Sequence, residues 1–563
     1  MTHLSRIGLT TGLLLAFVGA HGCATAGDVP ATPATLGEAG PTEYYDAGYV
    51  GPGGNPSVDG GCMAGYVTLT NPCDYKCTPG PLAPLDPIDP NFVDENCDGS
   101  DGVVAACLFV SNEGTDAPAG GSRTAPLKTI AFALTLGKSR GSSVCLAGET
   151  FTGQVTLLSG VNLYGGFDSK DPAFAFRRAA TATTTLTNTG TVILSQMIDA
   201  DTMVEGLNIH ALTPDGQNDG AGVYGVRHVG GAAKLILRYN GIAADAAHSG
   251  AAGAFGSDGQ RGSDGTRGGD ACSGCGPLGG QGGSFGGGTT VSAMCNAPSG
   301  GNGGQGGWDQ SGGLGGGWGS GAGGTPGGGG GGGSTCLFSS GGGGGPGGTS
   351  TEAGTPGVNG GVPPQLNGLS ADALYVPGLG GGGTAGSAGN AGGGGGGGGG
   401  GTNGGFCSGD RGAGGGSGGT GGCGCTSGTG GQGGGASIAV SIKSGQAIVG
   451  QNVLSAALGG VGGVGRSGGN GGNPGLGLGG GNGANDGASG GAGGNGTTGG
   501  AGGAGAGGAG GPSACIAAAT IVTLDQTPTN ACTVPSTGAV GGTGGAITNT
   551  GPAGRSKPVL ALP

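Results

Sequence analysis

Residues 153–171 read GQVTLLSGVNLYGGFDSKD, and this stretch decides the fold class. Val155 and Leu157 alternate with polar residues, and Val161 and Leu163 repeat the pattern after a Ser-Gly corner. A period of two predicts short strands that bury one face. Strands this short can bury that face only against neighbouring copies of the same pattern. The stretch therefore indicates one coil of a stacked β-solenoid.

The strand pattern recurs along the chain, both nearby and after long gaps. The matching segments are SVCLA (143–147), TVILSQM (191–197), MVEGLNIHA (203–211), AKLILRYNGI (233–242), GASIAVSIKSGQAIVGQNVLSAALGG (435–460) and ACIAAATIVTLDQTP (514–528). The residues predicted to line the core are Val155, Leu157, Val161, Leu163, Leu207, Ile209, Leu235 and Leu237. Ile438, Val440 and Ile442 alternate in the same way, with Ile448 and Val453 following at turn-like intervals. We expect the distant segments to add further coils to the same stack.

A short helix is predicted ahead of the first strands, and together they resemble a known family. Leu127, Ile130, Ala131 and Leu134 recur at helical spacing. The order G-T-D…P-L-K-T-I-x-x-A-L, V-x-L…G and V-x-L-Y-G-G-F is similar to bacterial surface proteins with a right-handed parallel β-helix (pectin-lyase-like) domain. The resemblance covers about residues 108–245. It implies a mainly β chain, a right-handed parallel β-helix and an N-terminal capping helix.

Glycine makes up 161 of the 563 residues, and much of it is periodic. It occupies every third position in residues 253–268, 459–471 and 487–511, whereas the all-glycine run 392–401 has no such register. A three-residue period matches the polyproline II helix, and collagen would need far more proline. The tracts are therefore predicted to be packed polyglycine-II-like helices or, alternatively, disordered linkers. They also resemble the glycine-rich (PGRS) tracts of mycobacterial PE-PGRS proteins, whose N-terminal helical domain this sequence lacks.

The N-terminal residues indicate export. MTHLSRIG is a basic segment, and LTTGLLLAFVGA is an apolar run too short to span a bilayer. The run ends in VGAHGC and resembles a bacterial lipoprotein signal, which implies an acylated Cys23; the alternative is ordinary secretion with cleavage after Ala26. The 16 cysteines favour disulfides in an oxidising compartment. Without Cys23 the count is odd, so at least one thiol is left without an intramolecular partner.

Charge excludes one partner class, and one acidic loop suggests a ligand. The net charge of −13 and the absence of a basic stripe exclude nucleic acid. VDENCDGSDG places Asp94, Asn96, Asp98 and Asp101 around Gly99, a spacing that converges oxygen ligands on a hard cation. It resembles the calcium loops of thrombospondin type 3-like and related bacterial extracellular repeats. Ala105 replaces the bidentate Glu of a full EF-hand, and a polar turn braced by a disulfide at Cys97 is the alternative.

No catalytic motif is found in the sequence. Polygalacturonases of the resembled fold share N-T-D, D-D and G-H-G motifs, and none of these occurs here. Arg227, Asp199 and Asp201 fit the roles of a lyase base and calcium ligands, but their spacing does not require those roles. The histidines of the strand region are His210, His228 and His248. We therefore assign no catalytic residues from the sequence.

The sequence predicts a modular surface protein. The predicted segments are a signal peptide (1–22), a Pro-rich tether with a Cys cluster (23–90), the calcium-type loop (91–102), a β-helix (103–248), a glycine-rich insertion (249–434), a further coil (435–458), a triplet glycine tract (459–512) and a terminal β coil with a tail (513–563). The favoured function is a non-catalytic envelope or outer-membrane lipoprotein that contacts polysaccharide or matrix and cell-surface proteins. The alternative is a divergent carbohydrate-active lyase or hydrolase.

Overall fold

The computed structural model describes residues 80–81, 86–102, 104–171, 175–216, 219–271, 298–308, 311–317, 329, 341–401 and 411–563. Cys23, the predicted signal peptide and most of the predicted tether lie outside these residues. No helix in the described part of the chain has the length and apolarity needed to cross a membrane.

The described chain is mainly β. It contains one α-helix, α1 (Ile130–Arg140), and short 3₁₀ turns at Val104–Ala106 and Ile547–Asn549. The strands are β1 (Cys107–Val110), β2 (Ser143–Ala147), β3 (Thr150–Thr152), β4 (Val155–Thr156), β5 (Leu163–Asp168), β6 (Arg177–Arg178), β7 (Thr184–Thr189), β8 (Thr191–Ile198), β9 (Thr202–Glu205), β10 (Leu207–Leu212), β11 (Val223–Arg238), β12 (Gly241–Ala244), β13 (Ser437–Gly450), β14 (Val453–Ala456), β15 (Ser513–Ala519), β16 (Thr523–Asp525), β17 (Ala531–Thr533) and β18 (Ser556–Leu562).

These strands form two sheets with parallel pairing. The large sheet has twelve strands and runs β1-β2-β5-β9-β11-β13-β15-β18, with β4, β6, β8 and β16 beside this path. The small sheet has six strands in the order β17-β14-β12-β10-β7-β3. Among the described strands only β5 and β6 pair antiparallel. This order confirms a mainly β chain with parallel sheets and is compatible with a parallel β-helix.

The distant strand segments join the same sheets, as the sequence predicts. Ser437 of β13 lies opposite Val223 of β11, and Val453 of β14 lies opposite Gly241 of β12. β15 then pairs with β13, and β17 pairs with β14. We call one passage of the chain through both sheets a layer. Successive layers are therefore in contact although long glycine-rich stretches separate them in sequence. We call the set of layers the strand body.

The core predictions hold for most positions. Leu207, Ile209, Leu235 and Leu237 are each at most 1% exposed and belong to the main core. In β13 the alternation breaks at Ile438: Val440 and Ile442 lie in that core, whereas Ile438 packs on the outer face of the sheet.

The outer face of the large sheet is apolar where residues 366–376, which we call the covering segment, return and pack on it. Leu369 and Tyr375 pack there with Tyr224 and Ile438. The backbone NH of Tyr375 donates to Tyr224 Oη at 2.9 Å. In the second half of β13 the buried residues are Ala447 and Val449 rather than Ile448 between them. Val453, the first residue of β14, is 65% exposed. A register irregularity in the middle of β11 and β13 changes which residues point inward.

Helix α1 lies where the sequence predicts a helix but starts later than the apolar pattern. Thr129 caps its N-terminus, with Oγ1 accepting the NH of Phe132 at 3.3 Å, and Gly141 ends it with φ 68°. Ile130 and Leu134 are buried, as predicted, whereas Ala131 is exposed. Leu127 precedes the helix and is bridged to Val110.

The described glycine-rich residues lie side by side and are joined by backbone hydrogen bonds. We number them tract 1 (250–271), tract 2 (298–308), tract 3 (311–317), tract 4 (341–361), tract 5 (378–401), tract 6 (411–435), tract 7 (459–483), tract 8 (487–511), tract 9 (538–545) and tract 10 (551–554), and call them together the glycine bundle. None of their glycines has the positive φ that marks a turn.

The bundle has a fixed three-residue register. Gly250 N donates to Val461 O, and each third residue repeats this parallel pairing of tracts 1 and 7 up to the bond from Ala271 N to Asn482 O, at 2.7–3.0 Å. Tracts 7 and 6 pair antiparallel in the same way, from Gly460 N to Gly435 O. The periodicity read from the sequence is therefore the spacing of lateral hydrogen bonds.

The all-glycine run is surrounded on every side. Each amide of residues 392–400 donates to a neighbouring tract, in turn to tracts 6, 4 and 3, at 2.8–3.1 Å. Residues 391–401 are all buried. A peripheral tract needs glycine only where it faces a neighbour, whereas this run faces a neighbour at every position. The loss of the three-residue register thus has a packing cause.

Three glycine-rich insertions leave the strand body at equivalent positions. Each begins after a strand of the small sheet, namely β12, β14 or β17, and ends before a strand of the large sheet, namely β13, β15 or β18. Tracts 1–6, 7–8 and 9–10 are the described parts of these three insertions. The layers therefore send out their insertions along one edge, where the tracts can pair with one another.

Two disulfides and one free thiol are described. Cys107 bonds Cys145 across β1 and β2, and Cys515 bonds Cys532. Cys425 is a buried free thiol, which confirms that at least one cysteine is left unpaired. Its Sγ donates to Gly469 O at 2.8 Å inside the glycine bundle.

Candidate metal centre

The predicted calcium loop folds back on its own acidic side chains. Asp94 Oδ1 accepts the NH of Asp98 at 3.1 Å, and Asp94 Oδ2 accepts the NH of Gly99 at 2.9 Å. Asn96 Oδ1 accepts the same Asp98 NH at 2.8 Å, and Asn96 Nδ2 donates to Asp98 Oδ2 at 3.1 Å. Gly99 has φ 102°, a backbone conformation that favours glycine and lets the loop bend tightly at this position.

A carboxylate from outside the loop joins this cluster. Asp86, Asp94 and Asp98 each bring one oxygen to within 4.8 Å of the others. Asp86 is 1% exposed, and its Oδ1 accepts the NH of Glu95 at 3.0 Å. Its Oδ2 is buried and has no hydrogen-bond partner among the described residues. Sequence reasoning missed Asp86 because it precedes the alternating loop and shares no spacing with it.

Burial raises the pKa values of these carboxyl groups. Burial and the nearby Asp94 charge raise the pKa of Asp98 to about 8. Burial, with the charges of Asp94 and Asp101, raises the pKa of Asp86 to about 7. Burial also raises the pKa of Asp94, against the loop amides that donate to it. Ionised carboxylates held here are poorly hydrated and repel one another, which is an environment that a bound cation relieves.

Asp101, the fourth predicted ligand, lies in a buried ion pair. Arg178 Nη1 donates to Asp101 Oδ2, and the two side chains are 4% and 0% exposed. Burial raises the pKa of Asp101 to about 7, although Arg178 opposes this shift. Arg178 Nη1 also donates to Asp89 O at 2.8 Å, and the Arg178 NH donates to Ser100 Oγ at 2.7 Å. These contacts hold the loop against β6 of the strand body.

The chemistry of this cluster suits a hard cation. Its side chains offer oxygen ligands, which Ca²⁺ and Mg²⁺ prefer, and neither the imidazole nor the thiolate ligands typical of zinc. In the described ranges no second group of three His, Cys, Asp or Glu side chains comes this close together.

The residues considered for a lyase site have structural contacts instead. Arg227 is 9% exposed, and its Nη1 donates to Asp372 O at 2.6 Å on the covering segment. Asp201 Oδ1 accepts the NH of Lys234 at 2.9 Å. Asp199 Oδ1 accepts from Ser159 Oγ. Each of the three thus holds a turn or a packed segment in place.

The three histidines do not converge on one site. His210 and His248 each pair with an aspartate at 2.9 Å. His228 is fully buried, with Nδ1 3.1 Å from Ser195 Oγ, and burial lowers its pKa to about 4. An open cleft of about 480 Å³ lies between α1 and strands β3 and β4. None of these histidines, nor Arg227, lines it.

Side chains close the outer edge of the glycine bundle. On tract 1, the outward NH of Ser257 donates to Thr426 Oγ1 at 2.6 Å, and that of Thr266 donates to Ser417 Oγ at 2.7 Å. On tract 7, the NH of Leu476 donates to Asp264 Oδ1 at 2.8 Å. These Ser, Thr and Asp side chains of a neighbouring tract therefore accept tract amides that do not donate to a backbone carbonyl.

The chain matches no protein-family model, no curated protein and no solved structure. Its function is therefore inferred from its own residues and geometry.

Proposed function

We propose that this protein is a non-catalytic structural or adhesive protein of the cell envelope. An acylated Cys23 holds it in a membrane. The strand body is a right-handed parallel β-helix, and it carries the glycine bundle as arms built of polyglycine-II helices. The partner classes are polysaccharide and matrix or cell-surface proteins, which the arms and the strand body contact by surface complementarity.

The position of the insertions carries this proposal. Three successive layers extend glycine-rich segments from the same edge and take them back at the next strand of the large sheet. A long insertion adds little closure entropy, about 0.6 kcal/mol for each doubling of its length. The lateral hydrogen bonds oppose the high conformational cost of ordering glycine. The strand body thus serves as the base of a second ordered surface.

Side-chain hydrogen bonds to edge amides of the glycine bundle favour a rigid arm of fixed size over an arm that polymerises with other chains. Unpaired backbone groups at an edge are a template for association with another chain. Thr426 and Ser417 of tract 6 accept amides of tract 1, and Asp264 of tract 1 accepts an amide of tract 7. An arm built this way presents side chains rather than free peptide groups to a partner.

Turnover of polysaccharide tests the choice between this function and an enzyme. We expect the purified mature protein to bind immobilised polysaccharide or cell-surface material. It should release no new reducing ends or unsaturated products from acidic polysaccharides, with or without Ca²⁺. Depolymerisation that Arg227→Ala or Asp201→Ala abolishes would overturn the proposal in favour of a divergent lyase or hydrolase.

Intact-mass measurement tests the anchor. We expect the mature chain to begin at Cys23 and to carry the mass of attached acyl chains, and Cys23→Ala to release the protein from the membrane fraction. A mature chain that begins after Ala26 without lipid would contradict membrane attachment and leave a secreted protein.

A further inference from the structure

We propose that Asp86, Asp94 and Asp98 form a Ca²⁺ site, and that Asp101 is not a ligand but fastens the loaded loop to the strand body through Arg178. The inference stands independently of the proposed envelope function, because it depends only on residues 86–102 and their contact with β6.

The distances fit one ion. Two oxygens that each lie about 2.4 Å from the same Ca²⁺ are separated by at most about 4.8 Å. One oxygen from each of Asp86, Asp94 and Asp98 meets this limit. The loop supplies two of these side chains, four residues apart, and the third comes from the preceding segment. A single ion would therefore tie the two segments together.

Asp86 provides an observation independent of the acidic cluster. A buried carboxylate oxygen without a donor is costly, and such oxygens in native proteins have a partner. The NH of Glu95 donates to Asp86 Oδ1, and the Gly102 amide near the carboxyl also lowers its pKa, yet Oδ2 is buried and no donor among the described residues meets it with hydrogen-bond geometry. The carboxylate is thus oriented and desolvated with one oxygen left to accept, which is the state that a cation completes.

Ca²⁺ fits this site better than Mg²⁺. Mg²⁺ requires a near-ideal octahedron and retains several waters, usually with one or two carboxylates. Three carboxylates from an irregular loop match the larger and more adaptable Ca²⁺ shell. The all-oxygen set also disfavours zinc.

Asp101 and Arg178 give the site a consequence for the fold. Asp101 is buried against Arg178, which also holds Asp89 O and lies with its guanidinium 4.6 Å from the centre of the Phe92 ring. These contacts attach the segment to β6, while the ion offsets the repulsion among the three ligands. Calcium occupancy therefore controls how firmly residues 86–102 are fixed to the strand body.

Calorimetric titration of the full mature chain, stripped with EDTA, tests the ligand set. We expect a Ca²⁺ site that Mg²⁺ fills at least tenfold more weakly. Asp86→Asn should weaken Ca²⁺ binding at least tenfold. The matched control, Asp89→Asn, changes a carboxylate of the same segment that bonds only backbone amides, and should stay within about twofold of the parent protein.

A thermal measurement keeps the result interpretable if a variant folds poorly. In EDTA we expect Asp86→Asn to melt at or above the parent temperature, because it removes a charge from the cluster. With Ca²⁺ the parent should gain stability and protection of residues 86–102 from proteolysis, and Asp86→Asn should gain neither. Absence of Ca²⁺ binding by the parent, equal binding by Asp86→Asn and Asp89→Asn, or equal affinity for Mg²⁺ overturns the proposal.

Discussion

Three asparagines occupy the same corner of three successive layers, each one residue before a strand of the small sheet. Asn240, Asn452 and Asn530 precede β12, β14 and β17. The backbone NH of Asn240 donates to Asn452 Oδ1, and that of Asn452 donates to Asn530 Oδ1, both at 3.0 Å. The amides thus form a ladder that satisfies corner groups which turn away from the strand pairing.

Removing the middle asparagine of this ladder should be costly. Asn452 is 1% exposed, and its Nδ2 donates to Leu237 O and Gly450 O at 2.9 Å. Asn452→Ala removes the donor that its side chain gives to these buried carbonyls and the acceptor of the Asn240 NH. We expect a loss of about 2–3 kcal/mol in the free energy of unfolding, measured by chemical denaturation. The exposed Asn208→Ala should change it by less than about 0.5 kcal/mol; equal effects would show that the ladder is not stabilising.

His228 should make stability depend on pH. Its pKa is lowered from 6.5 to about 4 by burial alone, so the folded chain keeps it neutral where the unfolded chain protonates it. Its polar contact is Ser195, and no titratable group contributes to the shift. The contribution of neutral His228 to the free energy of unfolding is fully present above pH 6.5. It falls by about 3 kcal/mol as the pH is lowered towards 4.

A variant isolates this contribution from the other titrating groups. We expect the difference in unfolding free energy between the parent and His228→Gln to shrink from pH 7 to pH 4, because only the parent loses the histidine term. A parallel profile for His228→Gln would contradict the assigned shift.

At the scale of elements, the strands were predictable and their second face was not. Alternation alone placed Leu235 and Leu237 in the core, because each strand has one face against its neighbours in the stack. It failed at Ile438, where residues 366–376 return to cover the outside, a contact between positions far apart in sequence. The asparagine corners carried no periodic signal of their own.

The candidate site shows the same limit. Asp94 and Asp98 were identified because their alternate spacing reflects a local loop conformation. Asp86 and Arg178 could not be found in this way, since one reaches the cluster from a preceding segment and the other from β6. Local chemistry is readable from the sequence, whereas the groups that complete or fasten a site depend on tertiary contact.

The glycine tracts are explained by what surrounds each position. A Cβ on Gly493 would lie 2.1 Å from Ser417 O, whereas a Cβ on the exposed Gly479 of tract 7 would meet nothing within 4 Å. We expect Gly493→Ala to destabilise the bundle by about 1–3 kcal/mol through overpacking. Gly479→Ala should be neutral or stabilise by up to about 1 kcal/mol, because alanine restricts the unfolded chain.

These two variants are a matched test, since both replace glycine by alanine without left-handed φ at either position. Unfolding free energy and amide exchange of tracts 6 and 8 give the readout. Similar behaviour of the two variants would indicate that the tracts do not pack in the arrangement described.

At the scale of the whole molecule, the chain is packed in two different ways. The strand body excludes water with aliphatic side chains, whereas the glycine bundle excludes it by bringing backbones together. The three-residue glycine period was visible in the sequence. Whether the tracts are ordered was left open, because flexible linkers are also rich in glycine. Order follows from the number of neighbours that the returning insertions bring to each tract.

The number of tracts that surround each residue predicts a graded pattern of hydrogen exchange across the glycine bundle. Every amide of residues 392–400 donates to a neighbouring tract, whereas in residues 341–347 the amides that donate to a backbone carbonyl of another described segment are those of Gly341, Gly344 and Gly347. We expect exchange in the first segment to be slowed at all positions, and in the second at about every third position. Mass spectrometry with electron-transfer fragmentation resolves the two segments. Exchange of 392–400 at the rate of an unstructured glycine peptide would contradict the bundle, and uniform protection of 341–347 would show further neighbours on that tract.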